Sequence, residues 1–255
     1  MTRQAHVLQV LQFIREGHTR VTARALMARL GVSRATAYRC IAELEQVGLL
    51  ERASRSEYVL GPTVVELDRL IRLNDPLLAA AAGIVEELSR RTGATILLTR
   101  LHGLKVVCVH DVVGPLGPQA VSYERGYARG LAMSLFRGAT SKVILAHLPR
   151  PLLAQVAEQH AAELRAGGLP DALNALGAEM ARVRAAGVCV TSDEVVRDTR
   201  AWSVPLHQGR KLLGSLSLVF RRGALPSGPN LAVDQLRRAA RRIEGRLAPA
   251  PEQTQ

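Results

Sequence analysis

The sequence has no apolar run approaching the length of a membrane-spanning helix, and it opens without a signal peptide. Both absences predict a cytoplasmic protein with no membrane partner. Its three cysteines, Cys40, Cys108 and Cys189, are far apart and odd in number. That excludes a disulfide framework and a cysteine zinc site, and it fits a reducing compartment. Seven histidines are scattered with no pair at metal-ligand spacing, so no metal and no cofactor is expected. There is no nucleophile elbow. The stretch 138–142, GATSK, lacks the second glycine and the Gly-Lys-Ser/Thr ending of a phosphate loop. Ser192-Asp193-Glu194 places carboxylates on successive strand residues, which point to opposite faces. They read as a solvated pair or part of a ligand lid rather than an acid–base couple. No catalytic residue emerges, and the chain is read as a non-enzyme.

Lysine is also scarce, occurring only at 105, 142 and 211. The net charge of +12 and pI of about 10.8 therefore rest on arginine. Such a balance fits nucleic-acid binding. It is not concentrated at the N-terminus, because residues 1–61 hold nine arginines against five acids. With the abundant alanine, the arginine usage matches a GC-rich coding bias, so charge supports a nucleic-acid partner only weakly.

What is present is a chain of 255 residues, 47% hydrophobic, enough for two modest domains. Residues 21–60 carry the strongest pattern. Thr22 precedes the helix-forming run Ala23–Leu26 and is placed to cap it. Leu26 and Leu30 share a face, and Gly31 suits the left-handed conformation that ends a helix. Ser33 caps a second helix, Arg34 to about Gln46, in which Ala37, Ile41 and Leu44 form an inward stripe. Leu49–Arg52 and Tyr58–Leu60 read as two strands around a polar turn with Ser54, Arg55 and Ser56. This is the pattern of a winged helix-turn-helix, whose second helix enters the major groove by its N-terminal turns. Ser33, Arg34, Ala35, Thr36, Tyr38, Arg39 and, on the wing, Arg55 are the candidate contacts to double-stranded DNA. Three short helices and a hairpin also suit a protein-binding module, and Tyr38 also suits half-buried packing.

Around that segment, residues 5–16 form an amphipathic helix with Val7, Leu8, Leu11 and Ile14 on adjoining faces. After Gly61-Pro62, residues 63–73 carry an apolar stripe of Val64, Leu67 and Ile71 that fits either a second subunit or its own domain. Beyond Pro76 the pattern becomes an α+β domain. A helix over 77–91 precedes a hairpin of strands 94–103 and 104–114 turning at His102-Gly103. A further strand is expected over 119–123, while 130–136 is ambiguous. Helices follow over 141–148, 151–166 and 172–186. Strands over 187–195, 201–208 and 211–220 and a helix over 231–247 complete the domain. The predicted organisation is 1–61 winged helix-turn-helix, 62–76 linker helix, 77–248 ligand-sensing domain, and 249–255 disordered tail.

Three segments in this order resemble the IclR family of bacterial transcriptional regulators: VSRATAYRCIAELEQVGLLER (32–52), LAMSLFRGATSKVILAHLP (131–149) and RAAGVCVTSDEVVRDTRAWSVPLHQG (184–209). The resemblance spans roughly residues 5–246. It implies a winged helix joined by a linker helix to a GAF-like effector domain. It further implies a homodimer or homotetramer on a palindromic operator and control by a small metabolite, commonly an organic or aromatic acid. Carried over by position, the effector residues are Met133, Phe136, Ala139, Thr140, Thr191, Ala201, Trp202, Ser217 and Val219. Thr191 stands where small-acid-binding relatives carry an acid, and Val219 where they carry a second serine. Such losses disfavour a two- or three-carbon oxoacid and favour a larger, flatter ligand. Arg125, Arg129 and Arg200 are conceivable carboxylate partners. The alternative reading is an enzyme or redox sensor with a DNA-binding appendage, the redox function residing in Cys108 or Cys189.

Overall fold

The computed structural model describes residues 3–118, 128–225 and 228–247. The chain divides into two compact units, Met1–Asp75 and Pro76–Gln255. The strand expected over 119–123, the tail 249–255 and Arg125 lie outside the described residues.

In the first unit, α1 (Arg3–Arg15), α2 (Ala23–Leu30) and α3 (Arg34–Gln46) pack around one core. The hairpin β1 (Leu50–Arg52) and β2 (Tyr58–Leu60) follows, with Leu50 opposite Leu60 and Arg52 opposite Tyr58. Val21 bridges Tyr58 and ties the start of α2 to the wing. The caps form as the side-chain chemistry requires. Thr22 Oγ1 accepts the Ala25 N–H at 3.0 Å, and Gly31, at φ +65°, closes α2 by donating to Met27 O. Ala37, Ile41 and Leu44 face inward with Leu26. In α1 the inward residues are Val10 and Phe13, while Leu8 is 65% exposed. Of the expected stripe, Val7, Leu11 and Ile14 flank this core and only Leu8 turns outward, while Phe13 stacks on His18 at 4.0 Å. The helix α4 (Thr63–Asn74) ends this unit and has no buried residue. Its Val65 is 72% exposed and its Ile71 52%.

The second unit is built on a six-stranded antiparallel sheet of order β5-β4-β3-β8-β7-β6. The strands are β3 (Thr95–His102), β4 (Lys105–Val112), β5 (Ala132–Ser134), β6 (Cys189–Ser192), β7 (Thr199–Gln208) and β8 (Lys211–Arg221). Side chains alternate across the pleat. Ile96, Leu98, Trp202, Leu216, Leu218 and Phe220 meet α5 (Pro76–Ala81), α6 (Ile84–Thr92) and α11 (Pro229–Arg246) on one face. Leu97, Val106, Cys108, Ala201 and Val219 meet α7 (Ala139–Ala146), α8 (Arg150–Gln159), α9 (Ala161–Ala166) and α10 (Leu173–Ala186) on the other. Among the described residues no helix is long and apolar enough to cross a membrane.

Three expected elements are shorter or broken. The helix over 77–91 is interrupted at Gly83, whose left-handed φ of +74° starts α6 anew. The helix over 151–166 breaks at His160, which bonds Glu163 with its ring. The strand over 187–195 stops at Ser192, because Asp193 turns left-handed at φ +59°. The ambiguous segment 130–136 contains the edge strand β5.

Candidate nucleic-acid interface and effector site

The first turns of α3 are organised around one hydroxyl. Ser33 Oγ accepts the Thr36 N–H at 3.2 Å, capping the helix, and lies 3.0 Å from Thr36 Oγ1. Arg39 Nη2 donates to the same Thr36 Oγ1 at 3.3 Å. The Arg34 guanidinium stands 5.6 Å from the Tyr38 ring centroid. Arg34, Ala35, Tyr38 and Arg39 are exposed while Ala37 and Cys40 are buried, so one side of the helix anchors and the other is presented. On the hairpin, Arg52 donates to Tyr58 Oη at 2.8 Å, which stiffens the strands below the exposed tip that carries Arg55. An exposed cationic and hydroxylic helix start, with Arg55 exposed on the hairpin tip, has the geometry for phosphate and base-edge contacts.

The second constellation lies at the start of α7. Gly138 precedes the helix with no side-chain cap of its own. The missing acceptors come from 52 and more residues away. Thr191 Oγ1 accepts the Ala139 N–H at 3.0 Å, and Glu194 Oε2 accepts the Gly138 N–H at 2.9 Å. Glu194 Oε1 also takes the Lys142 ammonium at 2.8 Å, and its backbone carbonyl accepts from Arg137. Below the helix is a buried hydroxyl network. Thr140 Oγ1 and Ser217 Oγ are 3.0 Å apart, Ser217 and Ser203 2.7 Å, and Thr99 and Ser215 2.8 Å. Ser215 Oγ donates to Thr140 O at 3.0 Å. A cavity of about 420 Å³ opens beside the pair, with Lys142, Thr191, Glu194, Cys189 and Met180 in its wall.

Of the residues expected around an effector, Ala139, Thr140, Thr191, Ala201, Ser217 and Val219 gather on this side of the sheet. Met133 and Phe136 belong to the same apolar cluster. Trp202 does not. It points to the opposite face and meets Phe220 edge-on at 5.5 Å. The reason is the two-residue strand period: with Ala201 facing α7, its neighbour must face away. Arg200 stacks over the Trp202 ring at 5.2 Å, and Arg129 donates to Val109 O, so neither joins the constellation. Asp193 and Glu194 also part company, since Asp193 takes Arg222 and the Thr199 N–H. Ser203, Ser215, Thr99 and the capping role of Glu194 had no local signal, because their partners come from distant strands.

The redox alternative finds no support in the thiols. Cys108 and Cys189 are buried, and burial pushes each up to about 12. A thiol held protonated is a poor nucleophile. Among the described residues no group of His, Cys, Asp and Glu is arranged to hold a metal.

Residues 5–54 match the IclR helix-turn-helix domain, and residues 73–244 match the bacterial transcriptional regulator IclR C-terminal domain. The chain belongs to the IclR family. It is 27% identical over 214 residues to the HTH-type transcriptional regulator XynR of Escherichia coli, covering 83% of this chain and 82% of that one. It is 26% identical to the probable regulator ArcR of Halobacterium salinarum, covering 81% and 78%. A putative IclR regulator from Silicibacter shares the fold with a TM-score of 0.79, 23% identity and coverage of 98% and 99%. An IclR homologue from Microbacterium hydrocarbonoxydans, solved in complex with 4-hydroxybenzoate, matches with a TM-score of 0.76, 20% identity and coverage of 96% and 99%. The protein is thus a transcriptional regulator with a helix-turn-helix domain and a GAF-like effector-binding domain, and not an enzyme.

Proposed function

We propose that this regulator reads a palindromic operator through Ser33, Arg34, Ala35, Thr36, Tyr38 and Arg39 of α3, with Arg55 on the wing reaching phosphate. Its grip is set by a small organic acid, first among them an aromatic one, bound at the start of α7. The observation that carries the effector half is the Glu194 carboxylate held by the Gly138 N–H and Lys142. A helix N-terminus with an adjacent ammonium is an anion seat, and here an internal carboxylate occupies it. An effector acid takes that seat as Glu194 swings out, with Thr140, Thr191 and Ser217 offering hydroxyls and Met133, Phe136 and Val219 apolar walls. The 4-hydroxybenzoate carried by a structural neighbour supports trying that class first. The exposed apolar residues of α4 support a second copy of the chain as partner, giving the dimeric or tetrameric reader that two half-sites require.

The test is a thermal-shift and calorimetric series of benzoate, 4-hydroxybenzoate and pyruvate, followed by an operator shift assay with the best binder. Aromatic acids should stabilise the protein and change operator occupancy, and Lys142→Gln should abolish the change in occupancy. Operator binding that ignores every acid would overturn the effector half. Binding that is uniform over unrelated sequences and falls steeply with salt would overturn the operator half.

A further inference from the structure

The opposite end of α7 borders a separate concavity. A cavity of about 460 Å³ lies between the C-terminus of α7, the start of α8 and one side of α10. That volume is within the range of about 300–1,000 Å³ typical of small-molecule sites. Its polar wall is made by His147, Arg150, Asn174 and Arg184, its apolar wall mainly by leucines, and it contains no carboxylate. Arg184 Nη1 donates to Ala146 O at 2.5 Å, which fixes the guanidinium over the end of α7. Among the described residues neither Arg150 nor Arg184 has a carboxylate partner, whereas Arg165 and Arg182 on the same side of the sheet do. His147 Nδ1 is 2.8 Å from Val143 O, which can only accept, so this nitrogen carries the hydrogen. Burial lowers the ring's pKa from its ordinary value, leaving a neutral imidazole whose Nε2 is an acceptor. Gly177 faces the cavity from inside α10, and a Cβ built there meets nothing within 4 Å. Glycine is a poor choice within a helix, and here its missing side chain keeps the concavity open.

We infer that this cavity is a second ligand site, distinct from the start of α7, for a small organic anion with an apolar body. Arg150 and Arg184 take the anionic head, the leucine side takes the body, and His147 takes a hydroxyl donor where the ligand has one. Carboxylate and phosphate heads both fit two guanidinium groups, so the test carries both on the same ring.

Full-length protein is titrated calorimetrically with benzoate and with phenyl phosphate. At least one should bind at a site that survives Lys142→Gln, weakens roughly tenfold or more in Arg150→Gln, and disappears in Gly177→Leu, which fills the cavity from a position with free space. Among the described residues Arg150 has no hydrogen-bond or ion-pair partner to lose, so its variant tests the site even if the Gly177 change disturbs α10. If neither compound binds, or if binding is unaffected by both variants, the inference is wrong. If binding vanishes with Lys142→Gln alone, the ligand belongs to the start of α7 and this cavity has none.

Discussion

Glu194 Oε1 holds the Lys142 ammonium at 2.8 Å across 52 residues, while its other oxygen accepts the Gly138 N–H. One side chain thereby caps a helix, neutralises a mostly buried lysine and joins the turn after β6 to α7. Glu194→Gln leaves Lys142 with its charge uncompensated and should cost about 1–3 kcal/mol of stability. Denaturant unfolding followed by the emission of Trp202, the only tryptophan, measures it. A loss below about 0.5 kcal/mol would rank the pair with solvent-screened surface contacts.

Gly177→Ala should stabilise the protein by about 0.5–1 kcal/mol, since Gly177 is helical, its φ is ordinary and the added methyl meets no atom. The same unfolding experiment reads the gain, and a loss would mean that α10 needs the glycine for packing.

Cys108 and Cys189 should be inert in the folded protein. With burial holding Cys108 and Cys189 up at about 12, both thiols stay protonated at pH 8. Labelling by a disulfide reagent should proceed only as fast as the chain opens. Immediate reaction of either thiol would reinstate the redox reading.

Stability should decline on the acid side through His147. Burial lowers its pKa in the folded state, so below about pH 6.5 the unfolded chain takes up a proton that the folded chain refuses. The stabilisation is complete above that pH and is lost as pH falls toward the depressed value. The difference in unfolding free energy between pH 7.5 and 5.5 should be smaller in His147→Gln than in the parent, and an equal difference would remove His147 from the effect.

Arg39→Ala should weaken operator binding by about 1–3 kcal/mol if its guanidinium leaves Thr36 for a base edge. A shift assay at fixed salt reads the change. Unaltered affinity would confine Arg39 to its contact with Thr36.

The helix-turn-helix was readable because its determinants are local. The caps Thr22, Gly31 and Ser33 act within four residues of themselves, and Ala37, Ile41 and Leu44 lie on one short helix. The effector domain was readable as strands and helices but not as a site. Trp202 was assigned to the pocket beside Ala201 although a strand cannot send both to one face. The hydroxyl chain from Thr99 to Ser203 needs four segments brought together by the sheet order. The cavity at the end of α7 joins residues on three helices that have no mutual periodicity, so nothing short of the fold displays it.

At the middle of the sheet, β3 pairs with β8, the first strand of the domain with the last. A ribosome delivers those two more than a hundred residues apart, so the sheet has no centre until β8 has emerged. The N-terminal unit faces no such wait, because its contacts are short in sequence. During synthesis the DNA-reading module can therefore be complete while the sensor is still half a sheet. A transcript cut short before β8 would yield a reader with nothing to govern it.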